Sequence, residues 1–280
     1  MSRLPIRLVD KPWGIDTLPH PFAPVRDRRI GEIWFEPQAA LRSVLVKYIF
    51  TSEKLSVQVH PDDAQASAAG EQDTGKEECW FVVHAEPGAA LGVGFDTAVD
   101  EAAMRAAALD GSIESLITWY PVQPGDFFYI PAGTVHAIGA GVGLIEIQQN
   151  SDITYRLYDF GRPRPLHLDA GLKVARGLPL DPSLRRHIPD TCTTELVDGR
   201  YFQAHLVVGV PDAALLELYV GPLLVVPRRG SVRVGDTVLA PGACGGAPSI
   251  SEIMFDRNGL AILVRAKAHP PIDLAGLSVL

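Results

Sequence analysis

The sequence predicts a mainly β protein, two barrel- or sandwich-like β units carrying a few helical insertions. Three observations predict it. Short runs rich in Val, Ile, Phe and Tyr recur along the chain, 26 glycines and 23 prolines punctuate them, and their regular spacing suits a closed barrel or sandwich better than a βαβ fold. In the first half, strands are expected at Ser43–Phe50, Leu55–His60, Glu78–His84, Asp126–Ile130, Val142–Gln149 and Thr154–Tyr158. Val99–Leu109, alanine-rich and with an Asp ahead of Glu101, reads as a helix, and Leu168–Arg176 as a shorter one. Gly177–Asp190, rich in Pro and charge, reads as a linker. Beyond it a second set of strands is expected at Tyr201–Val210, Ala214–Tyr219, Leu223–Val226, Ser231–Val234 and Leu260–Val264. The chain thus divides into residues 1–176, a linker 177–190 and a smaller unit 191–280. The two halves echo each other: Gly125-Asp126…Pro131 in the first has a counterpart in Gly235-Asp236…Pro241 of the second.

Composition narrows the function. Hydrophobic residues make up 47%, as in ordinary soluble globular proteins, and nothing suggests disorder. The balance of 33 acidic against 25 basic residues gives a formal charge of −8, which argues against nucleic acid, because phosphate-backbone binding needs a basic face. A phosphorylated metabolite needs only a few local donors and remains open. Cys79, Cys192 and Cys244 are too few and too scattered for a disulfide framework or a cysteine-rich metal site, so a reducing cytoplasm is the expected compartment. The N-terminus, MSRLPIRLVDKPWG, lacks the apolar core of a signal peptide. No apolar run approaches the ~20 residues of a membrane-spanning helix, so no membrane partner is expected. The sequence sets no oligomeric state.

Four groups of residues suggest chemistry. In Val57-Gln58-Val59-His60 side chains alternate, which sends Gln58 and His60 to one face and the valines to the other. If the valines pack outward against a second layer, the polar pair faces inward, where a metal ion would satisfy it. Gln-x-His alone is more often an exposed strand face. The second group, Gly125 to His136 (GDFFYIPAGTVH), matches the second cupin motif, Gly, five residues, Pro, any, Gly, two residues, His, at every defined position through His136. The motif's trailing Asn is absent, with Ala140 in its place. The third is Lys76-Glu77-Glu78-Cys79-Trp80, an acidic lead into an apolar strand in which only one of Glu77 and Glu78 can face inward. Gln, His, Glu and His together form a mixed nitrogen and oxygen set suited to a divalent ion such as Zn²⁺, with a position left for substrate. The fourth is the polar run Glu146–Arg162, in which Glu146 and Gln148 share a face and Arg156 or Arg162 offers a fork for phosphate.

These motifs resemble the class I mannose-6-phosphate isomerases of the short bacterial type, members of the cupin superfamily. The resemblance rests on Leu55–Asp63 (LSVQVHPDD), Gly75–Trp80 (GKEECW), Pro131–Gly139 (PAGTVHAIG) and Gln148–Asp159, with Trp13-Gly14 and Gly31-Glu32-Ile33-Trp34 as N-terminal elements. It runs from about Trp13 to Lys173 and fades in the last hundred residues. It implies two cupin-type (jelly-roll) β-barrels and one Zn²⁺ per chain in the first, held by His60, Glu78 and His136, with Gln58 as a fourth ligand. It also resolves Glu77 against Glu78 in favour of the latter. Arg156 falls at the family's catalytic arginine, Lys76 and Glu146 match polar residues beside the metal, and Ser56 and Arg162 fall where longer members contact phosphate, a lysine being usual at the second. There are departures: the segment around Val44–Lys47, before the pocket lysine, differs, and Glu77 stands where many longer members carry Pro. In the last part Gly245-Gly246-Ala247-Pro248 occupies the turn matching His136 without a His, so that unit is expected to be metal-free.

The resemblance implies aldose–ketose isomerisation between mannose 6-phosphate and fructose 6-phosphate through an enediol(ate). Zn²⁺ would polarise the carbonyl, Arg156 would stabilise developing charge, and the base would be Glu146, Lys76 or a water on the metal. A different metal cupin, such as another sugar isomerase or a dioxygenase, and a non-catalytic sugar-binding cupin are the rival readings.

Overall fold

Alternation along the strands sets the architecture. The protein is described here from a computed structural model covering residues 3–71 and 74–267, so the expected last unit, 191–280, extends beyond the described residues. In strand Val44–Phe50, Val44, Val46, Tyr48 and Phe50 enter one core while Ile49 enters another. Strand Val142–Gln149 repeats this, with Ile145 and Ile147 on one side and Leu144 on the other. A strand with both faces buried separates two cores, and everything else packs around that fact.

The first half is a seven-stranded antiparallel sheet facing a five-stranded one. The larger runs Ile6–Ile15, Ile30–Phe35, Val44–Phe50, Val142–Gln149, Glu78–Ala85, Asp126–Ile130, Arg185–His187. The smaller runs Tyr155–Tyr158, Val57–Val59, His136–Ile138, Ala90–Phe95, Ile117–Pro121. The second half pairs a five-stranded sheet with a three-stranded one. The expected mainly β fold with helical insertions is therefore observed, and the barrels are pairs of facing antiparallel sheets rather than closed cylinders. The outer face of the seven-stranded sheet packs on the second half: Phe35, Tyr48 and Phe81 share one core with Phe202, Leu206 and Ile262. On the far side, Val57, Val59 and Ala137 of the small sheet pack beneath helices Glu101–Asp110 and Leu168–Val174.

Local signals account for the helices. Asp100 caps Glu101–Asp110 by accepting from Ala103 N–H at 2.8 Å, and Gly111 ends it at φ +86°. One strand expectation is corrected: Ala214–Tyr219 belongs to a helix, Ala213–Leu218, because Asp212 accepts from Leu215 N–H at 2.9 Å and starts a turn there. Residues 177–190 carry the 3₁₀ turn Pro182–Leu184 and the strand Arg185–His187, which pairs with Asp126–Phe128. The echoed Gly125 and Gly235 both adopt positive φ, +96° and +56°, in turns that open a strand.

Candidate metal centre and active-site cavity

The inward positions of five strands converge. Glu78 and Trp80 face in, whereas Cys79 and Phe81 enter the opposite core. On the small sheet Val57 and Val59 point outward, which turns Gln58 and His60 inward, and Gln58 lies directly opposite His136 in the ladder. His60, Glu78 and His136 are all fully buried, and a donor atom of each lies within 4.8 Å of the others. Glu77 takes the other face, where its carboxylate accepts from the Tyr129 hydroxyl.

The donor set fits a divalent cation. His60 Nδ1–H donates to Ile153 O at 2.8 Å and His136 Nδ1–H to Thr134 O at 2.9 Å, leaving each Nε2 lone pair directed at the cluster. Burial holds both imidazoles neutral, His60 well below its ordinary pKa and His136 down to about 4. Glu78 Oε1 is buried without a hydrogen-bond partner, 3.6 Å from His136 Nε2. Two oriented neutral imidazoles and an orphaned carboxylate oxygen are what a metal of the zinc type accepts. Gln58 reaches the cluster through Nε2, 3.2 Å from His136 Nε2, while its Oε1 accepts from Ser56 Oγ at 3.2 Å.

Beside the cluster runs a chain of alternating charge. Lys76 Nζ lies 3.0 Å from His60 Nε2, donates to Glu78 Oε2, and stands 3.4 Å from Glu146 Oε1. Glu146 also accepts from Lys47 at 2.8 Å and from Trp80 Nε1 at 3.1 Å. Lys47 is 3.7 Å from Glu32, which in turn pairs with Lys11 at 2.9 Å. Burial alone would raise the Glu146 pKa, but Lys47 and Lys76 outweigh it and bring the carboxyl to about 2. Glu78 goes the other way, pushed up to about 7 by burial and the nearby Glu146 charge.

Above these groups opens a cavity of about 400 Å³, within the range that holds a small-molecule ligand. Ser56, Gln58, Lys76, Glu146 and Arg156 line it. Arg156 donates from Nη1 to Pro165 O at 2.8 Å, and its buried Nε has no partner. Arg162 is not brought to this cavity. Its guanidinium turns away to Lys54 O, at 2.6 Å, and to Asp159, because Phe160 and Gly161 take positive φ and reverse the chain. Arg164 lines the cavity instead, its fork held on buried Asp159 at 2.5 and 2.6 Å. Lys47, Glu32, Lys11 and Trp34 also line it and were not singled out as site residues in the sequence. Two signals were available: a lysine at an inward position of an otherwise apolar strand, and the place of Glu32 and Trp34 in an element that carries the resemblance.

Fold and site together define a two-sheet β fold of the cupin type with a candidate metal centre. The curated relatives are mannose-6-phosphate isomerases, which bears out the resemblance seen in the motifs. The chain is 41% identical over 149 residues to the mannose-6-phosphate isomerase of Streptococcus mutans, covering 51% of this chain and 46% of that protein. It is 39% identical over 171 residues to the mannose-6-phosphate isomerase ManA of Bacillus subtilis, covering 57% and 53%. The match therefore spans about half the length of these relatives. Among solved structures, a mannose 6-phosphate isomerase from Bacillus subtilis superposes with a TM-score of 0.75 at 24% identity, covering 94% of this chain and 98% of that one. A mutant phosphomannose isomerase from Salmonella typhimurium gives 0.73 at 13% identity, covering 96% and 100%. No family model matches the chain.

Proposed function

We propose that this chain is a zinc-dependent aldose–ketose isomerase that interconverts mannose 6-phosphate and fructose 6-phosphate. The observation that carries the proposal is the buried His60–Glu78–His136 group, with its orphaned carboxylate oxygen, beneath a cavity edged by arginines. The names of the relatives supply the substrate. Gln58 is proposed as a fourth ligand, its amide turned so that Oε1 faces the cluster. Bound zinc would supply a Lewis acid for the substrate carbonyl oxygen.

The chain's own residues supply the rest. Glu146, kept ionised at neutral pH by Lys47 and Lys76, takes the proton from one carbon and returns it to the next. Its basicity is low, so the carbon must be acidified through the polarised carbonyl. Lys76 stands between Glu146 and the metal ligands, from where its ammonium would carry the proton between the two substrate oxygens. Arg156 faces the cavity with spare donor capacity for the charge that develops there. Ser56 and Arg164, with Arg164 in the part first given to Arg162, anchor the phosphate and hold the reacting carbons in register. Residues 1–176 form the catalytic unit in this reading, 177–190 join it to a metal-free unit from 191 onward, and the cytoplasm is its compartment.

The test is a coupled assay of fructose 6-phosphate formation from mannose 6-phosphate, run with a chelator and then with Zn²⁺ restored. Turnover abolished by chelation and recovered with Zn²⁺ is the expected result. Turnover indifferent to the chelator would sink the metal mechanism, and none with Zn²⁺ present would sink the function.

A further inference from the structure

The segment joining His60 to Glu78 leaves the sheet, forms the short helix Asp63–Ala68 and returns. The spacing of two candidate ligands therefore depends on how the ends of this excursion are tied together. The ties meet at Asp63. Its Oδ1 accepts from Gly75 N–H at 2.8 Å and from Gln149 Nε2 at 2.8 Å. Gln149 Oε1 accepts the Glu77 N–H at 2.9 Å, and Gln149 N–H donates to Glu77 O at 3.0 Å. Lys76 N–H donates to Pro61 O at 3.0 Å. At Gly75 a Cβ would lie 2.4 Å from Pro61 O and from the Asp62 carbonyl carbon, so the two ends press backbone on backbone.

Asp63 and Gln149 neither line the cavity nor belong to the metal-ligand group. What they govern is where Lys76 and Glu78 stand relative to His60, because Asp63 follows His60 by as many residues as Gly75 precedes Glu78.

We propose that Asp63 is a positioning residue of the metal centre, which holds the strand carrying Lys76 and Glu78 in place through Gly75 and Gln149. The inference rests on the metal-site reading above. Outer contacts of this kind tune affinity by fixing ligand geometry.

The experiment uses the full chain stripped of metal. Zn²⁺ affinity is measured by competition with a chromophoric chelator, and site geometry by the visible absorption of the Co²⁺-loaded protein. Asp63→Ala is expected to weaken Zn²⁺ binding by about tenfold or more and to shift the Co²⁺ bands. Asp63→Asn, which keeps an acceptor for Gly75 and Gln149, recovers most of the affinity. Wild-type affinity and an unchanged Co²⁺ spectrum in Asp63→Ala overturn the proposal. If that variant does not fold, the same result in Gln149→Ala, which removes the side chain joining Asp63 to Glu77, overturns it. Failure of the wild-type chain itself to bind either ion overturns the metal reading on which the proposal stands.

Discussion

Replacing Lys47 with Met should destabilise the protein severely, although the side chains are similar in length and the position is buried. The ammonium lies 2.8 Å from Glu146 and 3.7 Å from Glu32, and over the Trp34 ring at 5.2 Å. Methionine leaves two buried carboxylates short of a counter-charge, and breaking a buried pair from one side costs about 3–5 kcal/mol. The Glu146 carboxyl points the same way: Lys47 and Lys76 outweigh burial and hold it below its ordinary pKa, so losing one of them raises it. For a chain of this length a loss of about 3–5 kcal/mol is a drop on the order of 10 °C in Tm. Thermal unfolding of the metal-stripped protein by circular dichroism measures it. Because the folded pKa of Glu146 is lowered, its contribution is complete above about pH 4.5 and is lost as pH falls toward about 2. The gap between wild type and variant must therefore narrow from pH 6 to pH 3. Adding Glu146→Gln should recover at least ~1.5 kcal/mol relative to the sum of the single changes. A Lys47→Met protein melting within about 2 °C of wild type at pH 7 refutes the reasoning.

His136→Ala should lose metal and isomerase activity together, read by elemental analysis after dialysis against Zn²⁺ and by the coupled assay; full activity in metal-free protein contradicts the assignment. Arg156→Ala should keep its metal and lose turnover by about 10²-fold, so an unchanged kcat would remove it from the mechanism. Arg164→Ala should raise KM at least about tenfold, the loss of one charge-assisted hydrogen bond, while Arg162→Ala stays within about threefold; the opposite order would return the phosphate contact to Arg162. Gly75→Ala should weaken Zn²⁺ binding and lower Tm, because its Cβ meets backbone at 2.4 Å on two sides and neither neighbour is a side chain that can turn away.

Much of the site was legible because strand alternation is a hard rule. Once Val57 and Val59 face a helix layer, Gln58 and His60 have nowhere to point but inward, and the Gly…Pro…Gly…His spacing delivers His136 opposite them. Glu78 needed more than spacing: residue types left Glu77 equally placed, the family resemblance favoured Glu78, and the strand register gives one carboxylate to each face. Lys47, Glu32 and Lys11 escaped because each sits on a different strand, and their charges acquire meaning only when sheet order makes them neighbours. Arg164 was displaced by two residues from the expected position because positive φ at Phe160 and Gly161 redirects the chain, a conformational choice that residue types in a Phe-Gly-Arg-Pro-Arg loop do not fix. Strand Ala90–Phe95 was not anticipated for a similar reason: Gly92 and Gly94 lower its β propensity, and Gly92 is held in the sheet by pairing between Trp119 and Ala137.

The contrast between the halves explains why one carries chemistry. Both present an inward face between two antiparallel sheets, yet the described residues hold a His–Glu–His cluster only in the first. In the second, the polar inward groups satisfy one another: His205 Nδ1 lies 2.9 Å from the Tyr219 hydroxyl, Arg265 Nε donates to Gln203 Oε1 at 2.8 Å, and Gln203 Nε2 donates to Glu195 at 2.9 Å. No carboxylate there corresponds to Glu78, whose buried oxygen lacks any partner. Among the described residues, the second half therefore closes its polar interior on itself, and only the first keeps an open donor set, His60, Glu78 and His136, for an ion.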